Sequence, residues 1–207
     1  MLTTSLNCSF NYSKSMKLSV LLPAMVGAVL LAQASPASAE FLENVDYQRY
    51  TVATPAGLSL LQALNRATPI SERGRKFHGY TKWNLRWNYR YKTNSQGLCQ
   101  IASATVTHSV VITLPVLEAG SRYAERFSRY IDALQVHEIG HMTISQEAGH
   151  KLERALLNLP AMAGCAQLEQ RANQTGYDYV ELARQQGRDY DERTNHGATQ
   201  GASLLND

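Results

Sequence analysis

A chain of 207 residues with a formal net charge of +3 is long enough for one domain with a core of its own. Lys14 and Lys17 fall in a segment that reads as an export signal, and without them the charge drops to about +1. That excludes electrostatic recognition of nucleic acid or of an anionic membrane as the basis of function.

The N-terminal segment has the parts of a signal peptide. Lys14 and Lys17 give it a positive start, Leu18 to Ala32 an apolar run, and Ala37-Ser38-Ala39 a small-residue cleavage site. The run is about 15 residues, short of the roughly 20 that span a bilayer. Residues 1–39 are therefore expected to be removed, with no stable membrane insertion afterwards. Residues 40–207 are expected to form a single secreted or periplasmic domain.

Tyr47 to Ala53 is a short β-prone run, and Thr54-Pro55 suits the cap and first position of a helix. Leu58, Leu60, Leu61 and Leu64 give that helix an apolar face ending before Pro69. The polar stretch 71–78 reads as a loop. From Tyr80 to Tyr91 the residues alternate: Trp83, Leu85, Trp87, Tyr89 and Tyr91 on one side, Lys82, Asn84, Arg86, Asn88 and Arg90 on the other. Asn94, Ser95 and Gly97 make a turn into a second strand from Leu98 to Leu114, where Ala102, Ala104, Val106, His108, Val110, Ile112 and Leu114 share a face. The two strands predict an antiparallel hairpin.

Arg122 to Leu159 carries apolar residues at three- and four-residue steps, which predicts a helix of about ten turns. Gly140 and Gly149 are expected to weaken or kink it. Cys165 to about Arg188 reads as another helix, and the Gly-rich stretch from Asn195 onward as irregular. The expected fold is α+β: a small antiparallel sheet packed on the long helix and a second C-terminal helix. Cys8 leaves with the signal, and the remaining pair, Cys99 and Cys165, predicts one disulfide in an exported protein. Two separate buried thiols are the alternative.

The long helix contains His137-Glu138-Ile139-Gly140-His141. Residues four apart lie about 400° round a helix, so His137 and His141 share a face and can chelate one ion. Glu138 is turned by about 100° and can reach a water on the metal instead of the metal. Zinc lowers the pKa of such a water, and the carboxylate takes its proton as it attacks a carbonyl. The spacing thus points to a zinc-dependent hydrolase of the zincin type acting on peptide or protein substrates. The bland alternative is two histidines covering a helix surface.

A catalytic zinc takes a third protein ligand. His150 lies about 900° and 13 Å beyond His141 and faces away. The third histidine of the metzincin pattern is absent, because Glu147 stands at that position. Asp191 and His196 sit in Tyr190-Asp191-Glu192-Arg193-Thr194-Asn195-His196-Gly197, where Tyr190 and Arg193 could stabilise an oxyanion. His108 lies on an apolar strand face and reads as a core residue.

Four features together resemble a bacterial family of unknown function described as a predicted secreted zinc-dependent protease. They are the strand Thr81-Lys82-Trp83-Asn84-Leu85-Arg86-Trp87, Cys99, the histidine motif, and the pattern at Tyr190, Asp191, Thr194, His196 and Gly197. The resemblance implies a zincin-like envelope domain with His137 and His141 as zinc ligands and Glu138 as base. It also places His196 above Asp191 as third ligand. A structural zinc site in a non-catalytic envelope protein and a zinc amidase acting on the cell wall are the other readings.

Overall fold

The computed structural model describes residues 38–204. The expected export segment lies outside them, except for Ser38 and Ala39, which open the first strand. In chain order the elements are β1 (Ser38–Val52), α1 (Leu60–Ala67), β2 (Ser71–Glu72), β3 (Arg75–Lys76), β4 (Tyr80–Thr93), β5 (Cys99–Leu117), α2 (Ala124–Leu157), α3 (Cys165–Thr194) and a 3₁₀ turn, Ala198–Gln200.

The α+β expectation stands, but the sheet is mixed instead of antiparallel. Strands β4 and β5 form the hairpin the alternation called for, from Tyr80↔Thr113 to Thr93↔Cys99. On the other edge of β5, β1 pairs in parallel, from Ser38↔Ser103 to Val52↔Leu117. A parallel pair needs a long crossover, here the chain from α1 through β4. The sequence reading shortened β1 to seven residues because Glu40, Glu43, Asn44 and Asp46 break any apolar alternation. Almost all of this edge strand is exposed, so nothing selects apolar residues there.

On β5 the face from Ala104 to Leu114 is buried as expected, whereas Ala102 is not and Ile101 and Cys99 are. The register explains it: Arg90 pairs with Ser103 and Tyr91 with Ile101. Ala102 is thus the extra residue of a bulge, and one extra residue moves every side chain beyond it to the other face.

Helix α1 begins later than Thr54-Pro55 suggests. Ser59 caps it, its hydroxyl accepting from the Gln62 N–H while the Gln62 side chain accepts from the Ser59 N–H, a reciprocal arrangement that satisfies two end groups. Pro55 instead serves the turn before it, its carbonyl accepting from Leu58. The stretch 71–78 contains the small β2–β3 hairpin.

Helix α2 is continuous over 34 residues, about 50 Å. Its glycines are points of close approach and not breaks. An added Cβ at Gly149 would lie 3.0 Å from the Leu85 side chain, and one at Gly140 would lie 2.7 Å from Tyr190 Cε1. The buried stripe of α2 covers the inner face of the sheet in two apolar clusters. One gathers Val52, Leu60, Leu64, Val110, Ile112, Leu114, Phe127 and Leu134. The other gathers Leu85, Ile101, Val106, Ala148, Leu152, Leu156, Leu168 and Ala172. Each of these leucines contributes roughly 1.5–3 kcal/mol by burial. The seam between the clusters holds the polar residues His137, Glu138 and Ser145 of α2 and His108 of β5, all buried.

Cys99 and Cys165 are bonded, with Cα atoms 5.2 Å apart. The bond ties the start of β5 to the first turn of α3. Among the described residues no helix is long and apolar enough to cross a membrane.

Candidate metal centre

On α2, His137 and His141 point their Nε2 atoms at one place, 3.3 Å apart, with the rings nearly perpendicular at 84°. Asp191 of α3 brings Oδ1 to 3.1 Å from His137 Nε2 and 3.0 Å from His141 Nε2. These three donor atoms lie within 4.8 Å of one another and could hold a metal ion. Tetrahedral zinc, with bonds of about 2.0–2.1 Å, spaces its ligand atoms about 3.3 Å apart. The observed spacings fit three corners of such a tetrahedron, and two imidazoles with one carboxylate are a donor set zinc accepts.

Asp191, which the sequence reading ranked below His196, belongs to this group because α3 runs to Thr194 and keeps Asp191 helical. The C-terminal end of a helix is also the end that favours a cation. His196 lies beyond the helix, where Asn195, His196 and Gly197 all have positive φ and reverse the chain. Its Nδ1 is 3.4 Å from Asp191 Oδ1, its side chain is 39 % exposed, and its ring meets the edge of Phe77.

Tyr190 was expected to face an oxyanion. Instead it stacks on His137 at 5.0 Å and meets His141 edge-on at 5.1 Å, and the Gln200 amide donates to its hydroxyl at 3.0 Å. It props both imidazoles from behind. Arg193, the other expected oxyanion partner, follows Asp191 by two residues, about 200° round the helix, and is exposed. His150 packs on Phe41 with centroids 3.9 Å apart and has no part in the group.

Gln200 is a residue that no motif or periodicity points to. With its amide turned to Tyr190, its Oε1 accepts from His137 Nδ1 at 3.0 Å, which leaves His137 Nε2 free to ligate. The only signal was its place in a Gly-rich tail that appeared irregular. Thr81 was also missed. Its hydroxyl donates to Glu138 Oε2 at 2.7 Å and fixes a carboxylate that is 4 % exposed. The other oxygen, Oε1, lies against Gly79, where any Cβ would collide with it.

Burial raises the Glu138 carboxyl above its usual range despite that hydrogen bond and the nearby histidines. Burial also works to raise Asp191, but the hydrogen bonds with His137 and His141 outweigh it and hold the group well below the usual carboxylate range. For His137, burial depresses the imidazole while Asp191 and Gln200 lift it, and the balance lies upward. Each of these shifts belongs to a cluster of polar groups drawn together inside a low-dielectric seam.

The group sits in a cleft of about 1010 Å³ whose lining includes His137, Glu138, His141 and Asp191. One wall comes from the β2–β3 hairpin and the start of β4, the other from α3 and the chain after it.

The model of a bacterial protein family of unknown function, DUF922, matches residues 47–197. The matched span takes in the metal-binding group and ends before Gln200. This corrects the resemblance drawn from the motifs, since the matching family is described as having no known function and not as a zinc-dependent protease. No activity passes to the chain from it. Comparison with curated proteins and with solved structures finds no match.

Proposed function

Because the chain belongs to the DUF922 family of bacterial proteins of unknown function, its activity has to be read from the site, and we propose that it is an exported zinc-dependent hydrolase of peptide bonds. His137, His141 and Asp191 would hold the zinc. When bound, zinc would supply Lewis acidity, polarising a carbonyl and acidifying a water.

The observation that carries this reading is Glu138. Its carboxylate is buried beside a three-donor group, on the lining of an open cleft. Thr81 occupies Oε2, leaving Oε1 to accept the proton of the attacking water. Its place beside the three donors suits it to take that proton and return it to the leaving amine. Tyr190 and Gln200 hold His137 in place and take no proton themselves. Edge strand β4 borders the cleft and offers an extended peptide a strand to lie along. Export is supported by residues 1–39 and by the Cys99–Cys165 bond.

The test is Glu138→Gln in zinc-loaded protein against a mixed peptide library and purified peptidoglycan. Zinc should stay bound while peptide turnover falls by about a hundredfold or more. Unchanged turnover would overturn the mechanism, and turnover of peptidoglycan alone would make the protein a cell-wall amidase.

A second reading has its own support. His196 Nδ1 lies 3.4 Å from Asp191 Oδ1, outside the three-donor group, and a swing of its exposed ring toward the histidines would supply a fourth ligand. A closed four-ligand zinc is structural, whereas a catalytic zinc keeps a position open. In that case His196→Ala would weaken zinc binding as much as Asp191→Ala, and no substrate would be turned over.

A further inference from the structure

Outside the metal-binding group, the charged side chains lining the cleft are mostly of one sign. Arg75, Lys76, Lys82, Arg184 and Arg188 face two carboxylates, Glu72 and the buried Glu138. With Glu138 and Asp191 counted the lining keeps an excess of two positive charges, and because those two carboxylates sit together at the metal-binding group, the cations predominate around it. Glu181 pairs with Arg188 at 3.0 Å and Arg184 at 3.7 Å and offsets one unit of that excess. Lys76 and Lys82 form no ion pair among the described residues, and Arg75 stacks over Phe77 at 5.3 Å.

The placement follows from the elements. Arg184 and Arg188 precede Asp191 by seven and three residues on α3, so they share its helix face. Lys82, on edge strand β4, also lines the cleft, although alternation turns its side chain to the other face of the strand from Thr81. Arg75 and Lys76 are the two residues of β3. Cations therefore flank the metal-binding group on both walls. A cleft lined by one sign of charge between low-dielectric walls concentrates the opposite charge.

We propose that the cleft selects polypeptide segments carrying aspartate and glutamate, bound so that acidic side chains on either side of the target bond meet these cations. Cleavage of such segments rests on the hydrolase reading above, whereas their binding does not. Exposed ion pairs contribute roughly two- to fivefold each in affinity, so two or three engaged together give about tenfold.

The test is fluorescence anisotropy with labelled peptides of one length: a glutamate-rich peptide, its glutamine counterpart and its lysine counterpart. Each is titrated with metal-free and with zinc-loaded protein at about 50 mM salt, and again at about 300 mM. The acidic peptide should bind about tenfold tighter than the glutamine peptide in both metal states, and the gap should shrink at the higher salt. Lys82→Glu combined with Arg188→Glu should abolish the preference. Arg75→Glu combined with Lys76→Glu, on an exposed hairpin where the fold tolerates change, should reduce it independently. Equal binding of the acidic and glutamine peptides, or a preference unmoved by both charge reversals, would overturn the inference whatever the protein cleaves. If the acidic peptide binds tenfold tighter and no peptide is hydrolysed, the binding preference stands and the hydrolase reading fails.

Discussion

Replacing Gly140 by alanine sets two effects of opposite sign against each other. In a helix interior the exchange by itself stabilises by about 1 kcal/mol. The new methyl, however, would sit 2.7 Å from Tyr190 Cε1 and closer still to the hydroxyl, where relaxed carbons stand about 3.5–4.0 Å apart. Helix α3 would have to withdraw by about 1 Å, and overpacking of that kind costs roughly 1–3 kcal/mol. Asp191 is the next residue on α3. A withdrawal of that size would stretch its 3.0 and 3.1 Å approaches to the histidines to about 4 Å, beyond the edge of a zinc tetrahedron. The variant should melt no higher than wild type without metal and bind zinc at least about tenfold more weakly. Thermal unfolding of the metal-free protein and zinc titration against a chromogenic chelator measure the two effects. In a Tyr190→Ala background the clash is gone, so Gly140→Ala should there raise the melting temperature. A Gly140→Ala protein that melts higher than wild type and binds zinc equally well would refute the packing argument.

Gln200→Ala should leave the fold intact and lower zinc affinity by roughly 10- to 100-fold, because His137 loses the acceptor that fixes its tautomer; the same chelator competition reads it. Replacing Cys99 and Cys165 by serine opens a loop with a sequence separation of 66 and should cost about 4 kcal/mol by loop entropy, measured by urea unfolding. Burial pushes His78 from 6.5 down to about 4, its ring nitrogens meeting the Tyr130 hydroxyl at 2.6 Å and Asn65 Oδ1 at 2.9 Å. Between those pH values the unfolded chain takes up the proton and the folded one does not. Stability is thus full above pH 6.5 and falls toward pH 4, by at most ~3 kcal/mol from this group. In His78→Asn the loss of stability between pH 7 and 4.5 should be smaller than in wild type by a comparable amount.

The parts of this molecule legible in its sequence are those where one local pattern decides the outcome. Alternation along Trp83, Leu85 and Trp87 gave β4, and three- and four-residue steps gave α2. The five-residue motif placed His137, Glu138 and His141 because α2 alone sets their spacing. The third donor depended on where α3 ends, and helix ends are set by small terms. Nothing before Asn195 marks a stop, and the left-handed turn at Asn195, His196 and Gly197 ends the helix six residues later than Arg188. Asp191 thereby stays on the helix and His196 falls beyond it, whereas the resemblance places His196 first. Thr81 and Gln200 act across 57 and 63 residues of sequence, and no periodicity connects positions so distant. The parallel pairing of β1 was hidden for the same reason, its partner being chosen by topology.

A serine, a histidine and a glutamate also meet in the seam, with the spacing of a hydrolytic triad. His108 Nε2 is 2.9 Å from Ser145 Oγ, and His108 Nδ1 is 2.9 Å from Glu43 Oε1. Geometry of this kind makes a nucleophile only where a substrate can reach the hydroxyl. Ser145 and His108 are both 0 % exposed, and neither lines the cleft. The Ser145 hydroxyl also lies within hydrogen-bond reach of the carbonyls of His141 and Met142 on its own helix. Burial lowers the His108 pKa in spite of Glu43, and Nδ1–H donates to the Glu43 carboxylate. Gln146, next to Ser145, donates to both Glu43 oxygens at 3.0 Å. The network therefore pins α2 to β5 and β1 one turn beyond His141, where the two apolar clusters part and packing alone would allow the helix to slide. A slide of α2 along its axis would carry both histidines away from Asp191, so a polar lock one turn further along the same flank of the helix fixes the geometry of the metal-binding group.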